Sequence, residues 1–260
     1  MPEIEEQLKL DTRGDEELQT LMKAGIHIGH VKAKTHPAMR PFIFATRNNI
    51  QIIDVTKTRQ YLARAEAFLK DVATRGGMIL WVGTKPSARL AVEEAAEKTG
   101  MPHTASRWIG GLLTNFKVIS KRIAALEDIE RRMRAGDLEK YTKQERARIG
   151  EEYQRLLRSY NGARTLKRLP DALVVVDILH DSLALEEAHR LKIPVVGLAD
   201  TNSNPNALEF PIPSNDDARL AIQYMMSRFA GAVLQGIEEV KRAEAADAEK
   251  KADEVLKTKD

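Results

Sequence analysis

A Gly-Thr-Lys sequence, Gly83-Thr84-Lys85, lies between an apolar run typical of a buried strand and a segment with helical spacing. Free amide groups at a helix start, together with a lysine side chain, can bind a phosphate, including one in an RNA backbone. The residue order differs from that of a P-loop, in which a second glycine directly precedes the lysine, and the chain has no Gly-x-Gly-x-x-Gly motif. The segment therefore indicates either a generic phosphate contact or an ordinary strand-to-helix turn.

Histidine and carboxylate side chains near the ends of predicted strands have the chemistry to bind one divalent ion. His27 and His30 have a weak metal-binding spacing without cysteine partners. We expect the candidate ligands of a structural ion to be His27, Asp200 and Asp216. The alternative is that the acidic residues cap turns and helices, with Asn215 or Asp216 at the start of the last helix. No other cofactor is indicated.

An arginine and a tryptophan, Arg107 and Trp108, precede the glycines Gly110 and Gly111. This arrangement can place a cation and an aromatic ring against RNA, with the backbone in close approach. The tryptophan can instead anchor the loop to the rest of the domain. We interpret Arg107 as an RNA contact and Trp108 as the anchor.

Composition and motifs argue against several classes of protein. The 260 residues suffice for one large domain or two modest ones with a buried core. Cysteine is absent, which removes disulfides, zinc ribbons and thiol nucleophiles, and no Gly-x-Ser-x-Gly motif is present. The apolar runs are too short to span a bilayer, and the acidic first residues do not resemble a secretory signal. We expect a cytoplasmic protein with no membrane partner and no small-molecule substrate.

Short apolar runs alternate with segments of helical periodicity along most of the chain. The runs lie at residues 42–45, 50–54, 78–82, 103–106, 173–176 and 195–198, and the helical segments at 57–75, 86–99, 183–191 and 217–236. Asn48 and Asn49 can form a turn between the first two runs, because asparagine tolerates the left-handed conformation. This alternation predicts a flavodoxin-like, doubly wound α/β domain with a parallel sheet, formed by residues 18–114 and 165–236.

Residues 115–164 interrupt this alternation with two long amphipathic segments. Apolar residues recur at helical spacing, at Ile119, Ile123, Leu126, Ile129 and Met133, and then at Ile149, Tyr153, Leu156 and Tyr160. Thr142 and Glu145 have the spacing of a capping box at the start of the second segment. The pattern predicts an inserted, antiparallel, coiled-coil-like hairpin. Residues 1–17 and 237–260 are interpreted as polar tails, and the second is expected to be mobile.

The basic charge is concentrated in the predicted hairpin. The net charge of the chain is only +3, but residues 121–168 hold 14 basic against 8 acidic residues, and residues 237–260 hold 6 against 8. A local basic excess is typical of an RNA-binding surface, and a solvated helical face is an equal alternative. The candidate RNA-binding residues are Lys121, Arg122, Arg131, Arg132, Arg134, Lys143, Arg146 and Arg148 in the hairpin, with Arg40, Arg47, Lys85 and Arg107 in the α/β domain.

The chain resembles the bacterial form of the second-numbered protein family of the small ribosomal subunit, the uS2 family. The resemblance extends from about residue 18 to residue 228, and its most specific motif is Arg-Trp-Ile-Gly-Gly-Leu-Leu-Thr-Asn at 107–115. Further motifs lie in order at 24–30, 36–44, 52–54, 57–58, 82–85, 169–172, 193–195, 200–205 and 212–218. Each motif alone is weak, but the full ordered set is not expected by chance.

The resemblance implies a structural protein of the small ribosomal subunit with a flavodoxin-like domain and the helical hairpin of bacterial members. It also implies a position between head and body, binding to small-subunit ribosomal RNA, and support for association of the first-numbered ribosomal protein. Asn204 stands where the family usually has aspartate, which weakens the case for a metal there, and His36 stands where an aromatic–asparagine pair is common.

Two other functions are compatible with the residues taken alone. A nucleotide-dependent enzyme would use the switch point of the sheet, an argument that rests on fold analogy, and tight nucleotide binding would distinguish it. A protein-interaction scaffold would use the hairpin seam, and RNA-independent pairing with another protein would distinguish it.

Overall fold

The computed structural model describes residues 15–257, with side chains described for residues 15–242. It opens with a helix and a small antiparallel sheet in the order β1-β3-β2, whose elements are α1 (Glu16–Lys23), β1 (Ile28–Val31), β2 (Ile43–Arg47) and β3 (Ile50–Ile53). Asn48 and Asn49 join β2 to β3 with φ angles of 46° and 67°. The turn predicted at these two asparagines is therefore confirmed.

A five-stranded parallel sheet forms the centre of the molecule, in the order β5-β4-β6-β7-β8. Its strands are β4 (Ile79–Val82), β5 (His103–Thr104), β6 (Ala172–Val175), β7 (Val195–Ala199) and β8 (Phe210–Pro213). The helices around it are α2 (Val55–Thr74), α3 (Arg89–Thr99), α4 (Phe116–Arg134), α5 (Lys143–Tyr160), α6 (Ser182–Arg190) and α7 (Arg219–Lys257). This arrangement confirms the predicted α/β class and is consistent with a flavodoxin-like fold.

Apolar side chains cover both faces of the parallel sheet, because neighbouring residues of a strand point to opposite sides. Trp81 and Val174 pack on one face with residues of α1, α2, α3 and α7. Leu80 and Val175 pack on the other face with α6, the loop before α4 and the first turns of α4. The fully buried strands explain why β4, β6 and β7 appear in the sequence as continuous apolar runs.

Helices α4 and α5 pack against each other through a small cluster formed by Leu126, Ile129 and Leu156. The capping box at the start of α5 is confirmed, since Thr142 and Glu145 exchange side-chain-to-backbone hydrogen bonds. The first turns of α4 behave differently from the predicted seam. Ile119 and Ile123 belong to the core on the second face of the sheet, so α4 begins inside the α/β domain.

Several elements differ from the sequence-based prediction. Helix α1, strand β1 and strand β8 were not predicted. Strand β8 contains two prolines, which cannot donate a hydrogen bond to a neighbouring strand, so its sequence does not resemble that of a central strand and it lies at the edge of the sheet. Helix α3 begins at Arg89 and not at 86, because residues 85–88 form a turn in which the Ala88 amide donates to the Lys85 carbonyl at 2.9 Å.

The predicted terminal tails can be compared with the structure only in part. Residues 16 and 17 of the first tail belong to α1, and residues 1–14 lie outside the described residues. Helix α7 continues past residue 236, where the sequence analysis ended it, to Lys257, through a segment rich in the helix-favouring residues Ala, Glu and Lys. The expected mobility of residues 237–260 is not tested, and 258–260 lie outside the described residues. Among residues 15–257, no helix combines the length and apolar character needed to cross a bilayer.

Candidate nucleic-acid interface and adjoining polar cluster

The lysine of the Gly-Thr-Lys segment lies at the carboxyl edge of the parallel sheet, directly after β4. The Lys85 ammonium contacts three carboxylates, Asp177 at 3.0 Å, Asp216 at 3.3 Å and Asp217. Burial lowers the pKa of Lys85, but the three carboxylates outweigh burial and raise the pKa above its ordinary value. The protein itself therefore neutralises Lys85, and the geometry favours the strand-to-helix turn over a phosphate contact.

Asp216 is the most deeply buried member of this group, with only 1% of its surface exposed. Burial is the main cause that raises its pKa to about 7, and the neighbouring carboxylates of Asp177 and Asp200 act in the same direction. Lys85 opposes them. The backbone amide of Asp216 donates to Asp200 at 3.4 Å, so the two residues are linked across the ends of β7 and β8. Lys85 thus offsets only part of the negative charge that Asp177, Asp200, Asp216 and Asp217 bring together.

His30 contacts two carboxylates of this cluster. Its Nδ1 atom lies 3.2 Å from Asp200 and its Nε2 atom 3.3 Å from Asp217. The hydrogen bond to Asp200 is the main cause that raises the pKa of His30, against the effect of burial. Among the described residues, the ligand atoms of these three side chains lie within 4.8 Å of one another. The convergent group thus shares Asp200 with the ligand set predicted from the sequence, and it contains His30 and Asp217 but neither His27 nor Asp216.

The position of β1 explains why His30 and not His27 is brought to the sheet edge. His30 lies within β1, and its amide donates to the Thr201 hydroxyl at 2.8 Å, which holds the strand beside the end of β7. His27 precedes β1 and its carbonyl accepts from the Ile53 amide at 2.8 Å. Asn215 begins the turn before α7, where its side chain accepts from the amides of residues 217 and 218. Capping is thus the role of Asn215.

The loop before α4 is organised by one buried carboxylate, Glu187 of α6. It accepts hydrogen bonds from the Trp108 ring nitrogen at 3.0 Å and from the Gly111 amide at 2.7 Å. It also accepts from the Leu113 amide and from both the amide and the hydroxyl of Thr114, each at 3.0 Å. Burial raises the pKa of Glu187, but these donors outweigh burial and lower it. Trp108 therefore has the anchoring role, as we interpreted it.

Glu187 was not singled out by the sequence analysis, although a signal was present. It lies three residues after Ala184 and one before Ala188, on the buried stripe of an otherwise amphipathic helix. A glutamate at such a position needs several donors, because burying an uncompensated charge is costly. Arg107, on the same loop, is exposed as an RNA contact requires.

The basic residues that the sequence analysis selected in α4 and α5 divide into two groups. Arg131 pairs with Asp128, Arg134 lies 3.7 Å from Glu130, and Arg132 is half-buried and donates to the Tyr141 hydroxyl at 2.8 Å. The second group is exposed and forms no ion pair within the part of the chain that the structure describes; it comprises Lys121, Arg122, Lys143, Arg146 and Arg148. These five cations are available to an anionic partner. Lys117 and Arg158, which the sequence analysis did not select, are also exposed and form no ion pair among the described residues.

The basic residues predicted on the α/β domain lie in different environments. Arg40 and Arg107 are exposed, Arg47 is half-buried at the end of β2, and Lys85 is held in the carboxylate cluster. Lys32, which the sequence analysis did not select, is also exposed and lies near Arg40. Nothing in the spacing of Lys32 distinguishes it from other surface lysines before the fold is known.

The fold and these side chains define an α/β protein that carries a basic helical pair. The family model for ribosomal protein S2 matches residues 21–236. The chain is 44% identical over 218 residues to the small ribosomal subunit protein uS2 of Thermus thermophilus, covering 84% of this chain and 85% of the relative. It is also 44% identical over 211 residues to that of Deinococcus radiodurans, covering 81% and 80%. The chain belongs to the ribosomal protein S2 family, which is structural and not enzymatic.

Proposed function

We propose that this chain is a structural constituent of the small ribosomal subunit in the cytoplasm, where it acts in translation. It binds small-subunit ribosomal RNA between the head and the body and supports association of the neighbouring first-numbered ribosomal protein. The observation that carries the proposal is the family match over residues 21–236. The nucleotide-dependent enzyme is set aside on the same observation.

Binding of RNA by the unpaired cations of α4 and α5 supports this function. A lysine or arginine that is not already neutralised can displace counterions from RNA phosphates, and affinity then falls with salt. The five exposed cations without ion pairs meet this condition, whereas Arg131 and Arg134 are partly neutralised by Asp128 and Glu130. Such contacts position the protein, and the shape of the RNA supplies selectivity.

Sedimentation of the tagged chain in cell lysate tests the proposal. We expect wild type to migrate with the small subunit at moderate salt. The triple variant Lys143→Gln, Arg146→Gln and Arg148→Gln should bind RNA with a weaker salt dependence and lose occupancy at moderate salt. Three lost phosphate contacts correspond to about a fortyfold change in the salt effect between roughly 50 and 200 mM.

The matched control removes three cations that are already ion-paired on the same helices, Arg131→Gln, Arg134→Gln and Arg155→Gln. It should retain clearly more occupancy than the first triple variant. The amount of first-numbered protein on subunits depleted of this chain, measured in the same gradients, tests the proposed support for that neighbour. Wild type that stays at the top of the gradient beside intact ribosomes would contradict the whole proposal.

We also propose that His30, Asp200 and Asp217 can hold a structural divalent ion. The proposal rests on the convergence of one imidazole and two carboxylates, a ligand set suited to ions such as Zn²⁺ or Mn²⁺. Elemental analysis of the dialysed protein should give about one equivalent of metal in wild type and much less in Asp217→Asn, with Asp71→Asn as the control. Equal metal content in all three proteins would refute it.

A further inference from the structure

A surface cleft of about 280 Å³ lies beside the small antiparallel sheet. Its lining residues come from β2, β3 and the segment between β1 and β2, and they are Lys32, Thr35, Arg40, Ile43, Thr46 and Gln51. Pockets for drug-sized ligands begin at roughly 300 Å³. The cleft therefore suits a group the size of a phosphate with its nearest waters better than a whole nucleotide.

The charge of this cleft is positive and uncompensated. Lys32 and Arg40 are both exposed, and neither forms an ion pair with any of residues 15–242. None of the six lining residues is acidic. This contrasts with Lys85, whose charge is neutralised by three carboxylates. Two free cations at one cleft favour an anionic ligand.

Neutral hydrogen-bond donors in the same cleft lack partners. The Thr35 hydroxyl oxygen is buried and has no hydrogen-bond partner among the described residues. The Thr46 hydroxyl donates to the side-chain oxygen of Gln51 at 2.8 Å, which turns the amide nitrogen of Gln51 away from that bond, and no hydrogen bond from this nitrogen is found among the described residues. A buried polar group without a partner is unfavourable, and a phosphate oxygen is an acceptor that both residues can serve.

The segment that carries these groups is held firmly in place. The Lys32 amide donates to the Asn49 carbonyl and the His36 amide to the Thr201 carbonyl, each at 2.8 Å. Met39 is fully buried in the core on the second face of the parallel sheet. Lys32, Thr35 and Arg40 therefore start from fixed backbone positions, which reduces the entropy lost when a ligand binds.

We propose that this cleft binds a single phosphate of the ribosomal RNA backbone. Lys32 and Arg40 neutralise its charge, while the Thr35 hydroxyl and the Gln51 amide donate hydrogen bonds to its oxygens. The cations lie at the surface, where a phosphate can enter while it remains part of an RNA chain. The inference rests on the proposed RNA-binding function and adds to it a site away from α4 and α5. Free inorganic phosphate has the same chemistry, and the experiment distinguishes the two sources.

The test measures binding of the full chain to small-subunit ribosomal RNA at several salt concentrations. The double variant Lys32→Gln and Arg40→Gln should reduce the magnitude of the slope of log affinity against log salt by about one, since a single phosphate is neutralised. Lys32→Gln or Arg40→Gln alone should reduce it by no more than that, because the remaining cation still faces the phosphate. Thr35→Val, which keeps the side-chain shape, should weaken binding about fivefold with little change in slope.

The matched control is Lys98→Gln with Arg190→Gln, which removes two charges near the carboxyl ends of α3 and α6. This control should leave the slope unchanged. Thermal unfolding of every variant shows whether the fold is intact, and Thr35→Val serves if a charge variant does not fold. A parallel titration follows the side-chain amide signals of Gln51 by NMR with inorganic phosphate as the probe.

Three results would overturn the inference. In the first, wild type binds the RNA and the cleft variants have the same slope and affinity. This result would show that the cleft binds no RNA phosphate, and it would leave the proposed function intact. In the second, inorganic phosphate shifts the Gln51 signals but the variants do not change RNA binding. This result would assign the site to a free anion. Wild type that does not bind the RNA at all would remove the proposed function itself.

Discussion

Glu187 is a buried carboxylate that accepts five hydrogen bonds from one loop. The donors are the ring nitrogen of Trp108, the backbone amides of Gly111, Leu113 and Thr114, and the hydroxyl of Thr114. The negative charge matters because every group that faces it is a donor. The motif that is most specific to the family is therefore held by a residue outside that motif.

Replacing Glu187 with Gln should destabilise the protein by about 3 kcal/mol, because the NH₂ group of the glutamine would face N–H and O–H donors and could accept no hydrogen bond from them. Hydrogen bonds lower the folded pKa of Glu187 below its ordinary value of 4.5. Its contribution is thus present above about pH 4.5 and is lost as pH falls through the folded pKa. Urea unfolding at pH 7 and at pH 3 should show a difference between wild type and variant that shrinks at low pH.

The matched control for this prediction is Glu186→Gln, because Glu186 is the exposed neighbour on the same helix. Its effect should stay within about 0.5 kcal/mol at both pH values. An unfolding difference for Glu187→Gln that is the same at pH 7 and pH 3 would show that the charge itself has no role.

At the level of elements, α4 belongs to two parts of the molecule. Its first turns pack on the parallel sheet through Ile119 and Ile123, and its later turns pack on α5 through Leu126 and Ile129. The cluster shared with α5 contains few fully buried side chains. Elements with few buried contacts open more readily than the core that supports them.

Leu126→Ala should therefore loosen the packing between α4 and α5 by about 2–4 kcal/mol, because Leu126 is fully buried there. Hydrogen exchange should show faster amide exchange in α5, with protection in β4 and β6 retained. Val118→Ala, at an exposed site of the same helix, should change little. Loss of protection spread evenly over the sheet would contradict the idea of a separately opening pair.

For the whole molecule, the groups that stabilise the fold and the groups offered to RNA are largely different. The two apolar layers lie against the parallel sheet, and the carboxylates at its edge contact Lys85 and His30. The five free cations lie on the exposed surface of α4 and α5. The triple variant at 143, 146 and 148 should consequently lose RNA affinity while its midpoint of urea unfolding stays close to that of wild type.

The sequence alone determined the features that depend on local periodicity. Continuous apolar runs identified β4, β6 and β7, two asparagines identified the β2–β3 turn, and the Thr142 capping box identified the start of α5. The order of the motifs identified the family. Each of these signals lies within a few neighbouring residues, so no knowledge of the fold was needed. Strand β8 escaped, since prolines at an edge strand hide its periodicity.

The tertiary structure decided which residues share a site. His30 is near Asp200 only because β1 lies beside the end of β7, and Lys85 is neutralised by carboxylates 92 to 132 positions away along the chain. Lys32 and Arg40 form no ion pair with any of residues 15–242, and no acidic residue is among those described at their cleft. Residue spacing cannot show whether a charge is already paired, because pairing depends on distances across the folded chain and not along it.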